Sequence, residues 1–432
     1  MFFSRGNEMR YGENLLRTGQ YLLVVLILGG GNAIAAQQTL QLLPLEPGDV
    51  SSESIHKLGD SELVNRSRDD VAFSWPVDVD RKIVQNSSYA SISRSYWRRV
   101  SAIELSEGIA IGTTAPGALV RISAGSKRDS ARLDAQSSLS IEHFGLIDPQ
   151  GVEHSLPALI EKSASFEQLG AVNIGFASGT FIFKLDPNLG MGEFTLVSKG
   201  NQNESDHYIV YVYDKNSDYV MNMQLPQTTV FEGDTLIARL ALEGAYADLP
   251  VRLNNAFVIG PAGQRIALGE ADYSGRTLEL RFFPEDLVSH SPGLWEVHAS
   301  IGFTIDGQEV QRNTKNAVAI NRAGATLTGE VGIHVTKGKK MILNFGLSSK
   351  SAGRYEVRGV LYGTDKNGHM KPIMFGSSAG WREPGESRIG LELQLSKLGH
   401  RISPPYELRH LMVYDQSRLM LLRKQSRALR IE

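Results

Sequence analysis

Apolar and polar residues alternate with a period of two through most of the chain after about residue 100. Gly, Pro, Asn and Asp separate these short runs, and all four residues favour turns. An antiparallel sandwich produces such alternation because one face of each sheet meets the core and the other meets water. Upstream, Phe73, Trp75 and Val77 alternate in the same way and predict a short strand. The pattern predicts an all-β chain of tandem immunoglobulin-like antiparallel β-sandwiches.

An internal repeat supports this division into domains. Residues 230–242 and 335–347 both place a charged residue and a glycine before an alternating strand. Three more pairs of segments recur in the same order: 250–260 with 356–363, 278–282 with 391–395, and 294–297 with 405–408. Four landmarks in register indicate two repeat units. A fainter third unit lies upstream, at residues 115–122, 144–151, 181–185 and 192–196.

The repeat units predict domain boundaries near residues 218 and 323. We expect an N-terminal region plus the first β-sandwich over residues 37–217, a second immunoglobulin-like domain over 218–322 and a third over 323–432. The first unit carries extra residues, 157–169, in which Leu159, Ile160, Phe166 and Leu169 are apolar. This spacing predicts a small helical insertion in the first domain.

The N-terminus has the order of a secretory signal. Arg5, Arg10 and Arg17 precede an apolar run at residues 21–28, and small residues follow up to Ala36. A positive region, a short apolar core and an A-x-A site are typical of a cleaved signal peptide. The apolar core is shorter than the roughly 20 residues of a membrane span. We therefore expect residues 1–36 to be a signal peptide removed after Ala35 or Ala36, and the mature chain to be periplasmic or secreted rather than an integral membrane protein.

Composition narrows the class further. A chain of 432 residues with 41% hydrophobic and 21% charged residues is typical of a globular protein with several domains. The net charge of −2 argues against nucleic acid as a partner. The absence of cysteine excludes disulfides and thiolate metal sites, so each domain must be held together by its core.

Two segments carry a family resemblance. Residues 96–108, continuing into 114–122, and the C-terminal residues 406–415 resemble an uncharacterised family of exported bacterial proteins with three consecutive immunoglobulin-like sandwich domains. That family is known as a domain of unknown function. The resemblance implies the three-domain architecture and an exported protein, and it supplies no activity and no site residues.

Motifs for catalysis or cofactor binding are not found in the sequence. It contains no HExxH, no Walker loop, no G-x-S-x-G and no Rossmann glycine pattern, so we predict no cofactor. Asp214, Asn216 and Asp218 place oxygens at every second position and form a candidate calcium site, with a polar turn between domains as the alternative. His143 and His154 flank a turn and could begin a metal site, with surface histidines as the alternative.

Charge is unevenly distributed along the chain. Residues 323–432 contain 8 Lys and 10 Arg against 9 Asp and Glu, an excess of +9. Such a basic domain could contact an anionic envelope component or another exported protein, or dock on the chain's own acidic N-terminal half. The candidate interaction residues are Lys337, Lys339, Lys340, Arg409, Arg418, Arg423, Lys424 and Arg427.

The sequence therefore favours a non-enzymatic exported protein that acts as an envelope or secreted binding or structural module. Two alternatives remain open. One is a hydrolase or an enzyme accessory protein with a site in the first domain. The other is a subunit that pairs with another exported protein by strand addition, which a long uncharged edge strand would favour.

Overall fold

A computed structural model describes residues 38–59, 67–83, 89–124, 141–156, 160–164, 180–200, 205–267, 271–274, 277–282, 293–336, 339–397 and 402–432. The predicted signal peptide, residues 1–36, lies outside the described residues. Three separate hydrophobic cores organise the described chain, and each lies between two sheets. None of the helices in this part of the chain has the length and apolar character that a membrane span requires.

The first sandwich packs a five-stranded sheet, β10-β11-β7-β13-β5, against a four-stranded sheet, β6-β12-β8-β9. Its elements are β5 (Ser95–Ser101), α1 (Ala102–Glu107), β6 (Ile109–Thr113), β7 (Leu119–Ala124), β8 (Phe144–Ile147), β9 (Glu153–Ser155), β10 (Ile160–Ala164), β11 (Phe181–Leu185), β12 (Gly192–Ser198) and β13 (His207–Tyr213). In β13 the alternation predicted from sequence is visible directly, because Tyr208, Val210 and Val212 are buried while their neighbours are half-buried.

The second sandwich packs β19-β20-β16-β14-β4 against β15-β22-β21-β17-β18. Its own strands are β14 (Met221–Leu225), β15 (Thr229–Phe231), β16 (Leu236–Leu242), β17 (Arg252–Ile259), β18 (Arg265–Ala267), β19 (Ala271–Ser274), β20 (Thr277–Phe282), β21 (Trp295–Ile305) and β22 (Gln308–Asn321). Trp295 lies in this core. Strand β15 pairs with β22 in parallel, whereas the other described pairings are antiparallel.

The third sandwich packs β1-β23-β24-β27 against the six-stranded sheet β2-β29-β28-β25-β26-β3. Its own strands are β23 (Ala325–Val335), β24 (Lys340–Ser349), β25 (Gly353–Asp365), β26 (Met370–Arg382), β27 (Gly385–Gln394), β28 (Ile402–Asp415) and β29 (Met420–Ile431). The predicted repeat is visible in the strand order, since β20-β16-β14 corresponds to β27-β24-β23 and β22-β21-β17-β18 corresponds to β29-β28-β25-β26. The prediction of tandem antiparallel β-sandwiches is confirmed.

The helical content differs from the prediction. Within the predicted insertion at 157–169, the described residues Ile160–Ala164 form the strand β10. Their backbone groups pair with β11, so tertiary pairing at the sheet edge replaces the predicted helix. The rest of the insertion lies outside the described residues. The one α-helix of the described chain is α1 instead. Ser101 and Glu104 form a capping box at its start, and Gly108 ends it at a φ of 101°, where a Cβ would lie 2.8 Å from Thr195.

The N-terminal region adds its strands to the second and third sandwiches. It forms β1 (Gln38–Gln41), β2 (Val50–Ser51), β3 (Val71–Pro76) and β4 (Tyr89–Ser93). Each of the four lies at the edge of a sheet, β1 beside β23, β2 beside β29, β3 beside β26 and β4 beside β14. The chain therefore passes along the third and second sandwiches before it begins the first. We call residues 38–93 the N-terminal strap.

Buried polar side chains hold the strap on the third sandwich. The carboxylate of Asp49, 5% exposed, accepts hydrogen bonds from the backbone and hydroxyl of Ser426 at 2.8 and 2.7 Å and from the backbone of Glu46 at 2.8 Å. Gln425, fully buried in β29, donates to the carbonyl of Leu43 at 2.7 Å. Buried Arg354 donates to the backbone carbonyls of residues 67 and 69. The third sandwich thus supplies built-in partners for the strap's backbone.

Replacing Asp49 with Ala is expected to loosen the strap. The backbone N–H groups of Ser426 and Glu46 would lose a buried acceptor, which costs about 2 kcal/mol of unfolding free energy. Urea denaturation measures the loss of unfolding free energy, and faster hydrogen exchange in β29 would show that the loss lies at the strap. Exposed Glu53 is the matched control, because Glu53→Ala should change stability by less than about 0.5 kcal/mol. Equal stability of the two variants would show that Asp49 does not hold the strap.

Candidate functional site

A row of aromatic rings lies on the solvent-facing side of the six-stranded sheet. Phe73 and Trp75 on β3 stack with ring centroids 5.3 Å apart, and Trp75 stacks on Phe375 of β26 at 4.6 Å. The register places Trp75 opposite Phe375, so the three rings share one face. Phe73 and Trp75 remain 46% and 48% exposed. Large rings that are half-exposed and aligned are typical of contact surfaces rather than of ordinary solvated strands.

An arginine lies beside this row, two strands in from the edge. Arg358 on β25 lies 4.4 Å from the ring centre of Tyr414 and donates to its hydroxyl at 2.6 Å. The residue is half-buried, and no carboxylate pairs with it among the described residues. A stacked guanidinium keeps its remaining donors in a fixed plane, which suits carboxylate or phosphate groups. We call Phe73, Trp75, Phe375, Arg358 and Tyr414 the aromatic–cationic face.

The basic residues predicted from sequence lie in two places. Lys339 is exposed in the hairpin between β23 and β24, where Lys340 pairs with Glu392; Lys337 lies outside the described residues. Arg409, Arg418, Arg423, Lys424 and Arg427 lie on β28, β29 and the turn between them. The structure therefore separates the lysine hairpin from the arginines of the six-stranded sheet.

Much of this positive charge is engaged within the chain. Arg409 and Arg427 both contact Glu407, at 2.6 and 2.9 Å, and Arg427 also lies 3.7 Å from Glu46 of the strap. Burial would raise the pKa of Glu407, but the hydrogen bonds from the two arginines outweigh it and hold that pKa below its ordinary value.

The remaining arginines bind buried groups. Arg418 pairs at 2.7 Å with Asp415, whose pKa is raised by burial even though this arginine opposes the shift. Arg423 donates to Gln425 and to Ser51 of the strap. Burial lowers the pKa of Lys424. These side chains hold the sandwich and the strap together, so the excess of +9 is not a uniform cationic patch.

The three residues of the candidate calcium site, Asp214, Asn216 and Asp218, lie in two different environments. Asp214 is 1% exposed, and its Oδ2 accepts from the backbone of Thr114 at 2.6 Å and from Arg312 at 3.3 Å. Asn216 and Asp218 are exposed. The guanidinium of Arg312, and not a metal ion, thus lies beside the carboxylate of Asp214. No cluster of three or more His, Asp or Glu side chains in the described chain is arranged to hold a metal ion.

Arg312 is a site residue that the sequence did not reveal. It is fully buried on β22 of the second sandwich and donates to the hydroxyls of Thr114 and Ser217, at 2.8 and 2.9 Å, and to the carbonyl of Tyr219. Burial lowers the pKa of its guanidinium, and the Asp214 carboxylate opposes that shift. Asp214 follows the last strand of the first sandwich, so this buried pair joins two sandwiches. We call Arg312, Asp214, Thr114 and Ser217 the junction lock.

Histidines and glutamates also have structural partners. His154 lies 3.0 Å from Asp148, which accepts backbone hydrogen bonds in the intervening turn, while His143 is exposed. Glu279, which alternation places on the solvent side of β20, is only 7% exposed because Arg239 and Arg281 cover its carboxylate.

A buried histidine lies at the junction of the first and second sandwiches. His298 on β21, 8% exposed, bonds Glu296 at 2.9 Å, stacks on Phe257 and meets the edge of Trp97 from the first sandwich. Glu296 also pairs with Lys315 at 2.7 Å, and the two line an open cleft of about 320 Å³ beside Tyr89. Burial lowers the pKa of His298, although Glu296 acts in the opposite direction.

Two segments of the chain match models of one known family. Residues 63–214 match the domain of unknown function (DUF4785) N-terminal domain, and residues 325–432 match the C-terminal domain of the same family. The chain belongs to the DUF4785 family. The resemblance seen in the sequence is therefore confirmed. A search of curated proteins found no match.

Among solved structures, one shares the fold of most of the chain. The DUF4785 chain matches the crystal structure of a DUF4785 family protein from Legionella pneumophila, with a TM-score of 0.66 and 21% identity over 90% of this chain and 99% of that one. This likeness supports the fold alone. Trypsin-activated alpha-2-macroglobulin from Escherichia coli is also similar, with a TM-score of 0.20 and 10% identity over 79% of this chain and 23% of that one. A score that low carries no argument.

In this DUF4785 chain, Arg312→Met is expected to lower the unfolding free energy by about 3–5 kcal/mol, because it leaves Asp214 buried without its counter-charge. Urea denaturation measures the loss. Arg252→Met is the matched control, since Arg252 and Glu309 form an exposed pair on the same sandwich and such pairs contribute about 1 kcal/mol or less. A loss no larger than that of the control would contradict the junction lock.

Acid is expected to weaken the junction through His298. Its folded pKa lies below the ordinary value of about 6.5, so the unfolded chain takes up the proton first as pH falls. The neutral ring of His298 therefore contributes to folding stability above about pH 6.5, and this contribution is lost as the pH falls below that value. His298→Phe should therefore lose less stability than the unaltered DUF4785 chain when urea midpoints at neutral and mildly acidic pH are compared. His369→Phe, at a ring 72% exposed, should show the unaltered pH dependence.

Proposed function

We propose that this chain is an exported, non-enzymatic binding and structural module that presents the aromatic–cationic face of its third sandwich to an anionic envelope component. One observation carries the proposal: Arg358, with no ionic partner among the described residues, lies in the same exposed sheet face as three aligned aromatic rings. The export signal predicted from sequence supports the location.

The chemistry of the face favours a ligand with both anionic and apolar or ring-shaped parts. Aromatic rings and arginine supply most of the binding energy in many interfaces, because they bury large areas at low conformational cost. Stacking on Tyr414 fixes the guanidinium of Arg358 before any ligand arrives. An anionic group on Arg358 and an apolar or sugar ring on Phe375 would therefore be contacted together.

The strap and the junction lock support a structural role. The junction lock couples the first and second sandwiches at Arg312, and buried polar contacts at Asp49 and Gln425 fix the strap to the third sandwich. Rigid coupling keeps the face at a fixed position relative to the rest of the chain. A spacer or presenting protein needs this property, because binding then costs little additional ordering.

A second candidate function, pairing by strand addition, is favoured by β3. This strand lies at the edge of its sheet and contains no charged residue. The feature differs from the aromatic–cationic face, because it uses backbone groups rather than side chains.

The envelope proposal is tested with variants that lie off β3. Arg358→Gln and Phe375→Ser should each reduce co-sedimentation with isolated cell envelopes about tenfold, which corresponds to about 1.4 kcal/mol. High salt should weaken binding of the unaltered chain more than binding of Arg358→Gln, because a charge contact is screened.

Leu294→Ser is the matched control, since Leu294 is 59% exposed in the second sandwich and lies away from the face. It should sediment like the unaltered chain. If the unaltered chain stays in the supernatant at low salt, or if the face variants sediment as well as the control, the proposal fails.

A further inference from the structure

Strand β3 has an open side. Among the described residues, it pairs with β26 on one side and with no strand on the other. Val71, Phe73 and Trp75 are 45%, 46% and 48% exposed. Edge strands are normally protected by charges, bulges or a covering element, because their free backbone groups invite pairing with another strand. Within the part of the chain that the structure describes, β3 carries no charge, no bulge and no covering strand, and only Pro76 at its end lacks an N–H.

The ladder identifies which backbone groups face outward. Val77 donates to the carbonyl of Ile373, and the antiparallel register pairs Trp75 with Phe375 and Phe73 with Ser377. Hydrogen-bonded and non-bonded pairs alternate along an antiparallel ladder. Val71, Phe73 and Trp75 therefore bond to β26. The N–H and C=O groups of Ala72 and Ser74 point to the open side, where they are spaced to bond an extended polypeptide strand.

The sequence around β3 is complementary to itself when reversed. In an antiparallel self-pairing centred on Phe73, Ala72 lies opposite Ser74 and Val71 lies opposite Trp75. On the side that carries the rings, Val71 thus faces Trp75 and Phe73 faces Phe73, so apolar residues meet apolar residues there. Five residues from the centre on either side lie Arg68 and Asp78, which carry opposite charges and would meet twice in a symmetric pair.

The present side-chain contacts of these two residues are exposed, and the Asp78 carboxylate accepts a hydrogen bond from the backbone of Asp80 at 3.0 Å through Oδ1, which leaves Oδ2 for a partner. Arg68 lies over Trp381 at 4.9 Å and reaches Glu383 at 3.4 Å, where both side chains are mostly exposed. Exposed ion pairs of this kind contribute little, so Arg68 can turn toward a partner. Asp70 and Asp80, which flank β3, are bound to Arg382 and Lys371 of the same third sandwich. These anchors keep β3 on its own sheet while its open side pairs.

We propose that β3 pairs antiparallel with β3 of a second copy of this chain, with Phe73 at the two-fold axis. Two outward residues in each strand bond reciprocally, and the two six-stranded sheets become one continuous sheet. The partner is a second copy rather than another polypeptide because the apolar pairs and the Arg68–Asp78 charges are already complementary in this one sequence. The dimer goes beyond the envelope contact and does not depend on it.

Cysteine cross-linking tests the register, since the chain contains no native cysteine. Phe73 would lie opposite itself in a non-bonded pair with Cα atoms about 4.5 Å apart, within the disulfide range of about 4.4–6.8 Å. Under mild oxidation, Phe73→Cys should therefore form a covalent dimer in high yield. Ile92→Cys is the matched control, because Ile92 is 58% exposed on edge strand β4. Equal cross-linking at both positions would overturn the proposal.

Exchanging the charges of Arg68 and Asp78 tests whether the partner of β3 is a second copy of this chain. Arg68→Asp and Asp78→Arg should each weaken dimerisation about fivefold in sedimentation velocity, because like charges then meet at both ends of the pair. The double variant should restore it, and a purely structural role for either residue would not produce that rescue. Ala72→Pro should abolish the dimer by removing an outward N–H, while Ala72→Ser should keep it.

Two outcomes would contradict the proposed β3–β3 dimer. One is a monomeric unaltered chain at every concentration, and the other is a dimer that persists unchanged in Ala72→Pro. Circular dichroism and melting of each variant show whether it is folded. Arg358→Gln and Phe375→Ser lie off β3, so envelope binding and dimerisation are measured separately and can fail separately.

Discussion

The antiparallel pairing of the N-terminal strap with later strands is the constraint on which the rest of the structure depends. Sheet edges in the second and third sandwiches are completed by residues that precede the first sandwich in sequence. The third sandwich therefore has complete sheets only when both ends of the chain are together. Contacts of such large sequence separation carry a high loop-closure cost, so the buried anchors at Asp49 and Gln425 must offset it.

The strap also neutralises part of the basic charge of the third sandwich. Residues 37–83 carry nine Asp and Glu against five Lys and Arg, so this segment is acidic. Its carboxylates at Glu46, Asp70 and Asp80 meet arginine and lysine side chains of the third sandwich. Part of the positive charge that suggests an external partner is therefore used within the chain. Arg358 differs from these residues because it faces a tyrosine and not a carboxylate.

Buried charge has a different use at the junction of the first and second sandwiches. Burying Arg312 and Asp214 costs desolvation, which the pair recovers only if each donor and acceptor finds a partner in one geometry. The hydroxyls of Thr114 and Ser217 accept from the guanidinium, and Thr114 also donates to Oδ2 of Asp214; the two hydroxyls come from the first sandwich and the segment that follows it. We infer that the lock specifies one arrangement of two neighbouring sandwiches, which a purely apolar contact would define less sharply.

The sequence alone determined the all-β class and the repeat, because both depend on local alternation and turn residues. It also marked Asp214, Phe73 and Trp75 as noteworthy residues. The tertiary structure decided their partners. Phe73 and Trp75 became part of the third sandwich because the strap pairs with β26, about 300 residues away in sequence. Arg312 carries no local signal, since its role arises when another sandwich buries it. Alternation reports which face of a strand is apolar, whereas the neighbour that covers a face or an edge is chosen only when distant strands meet.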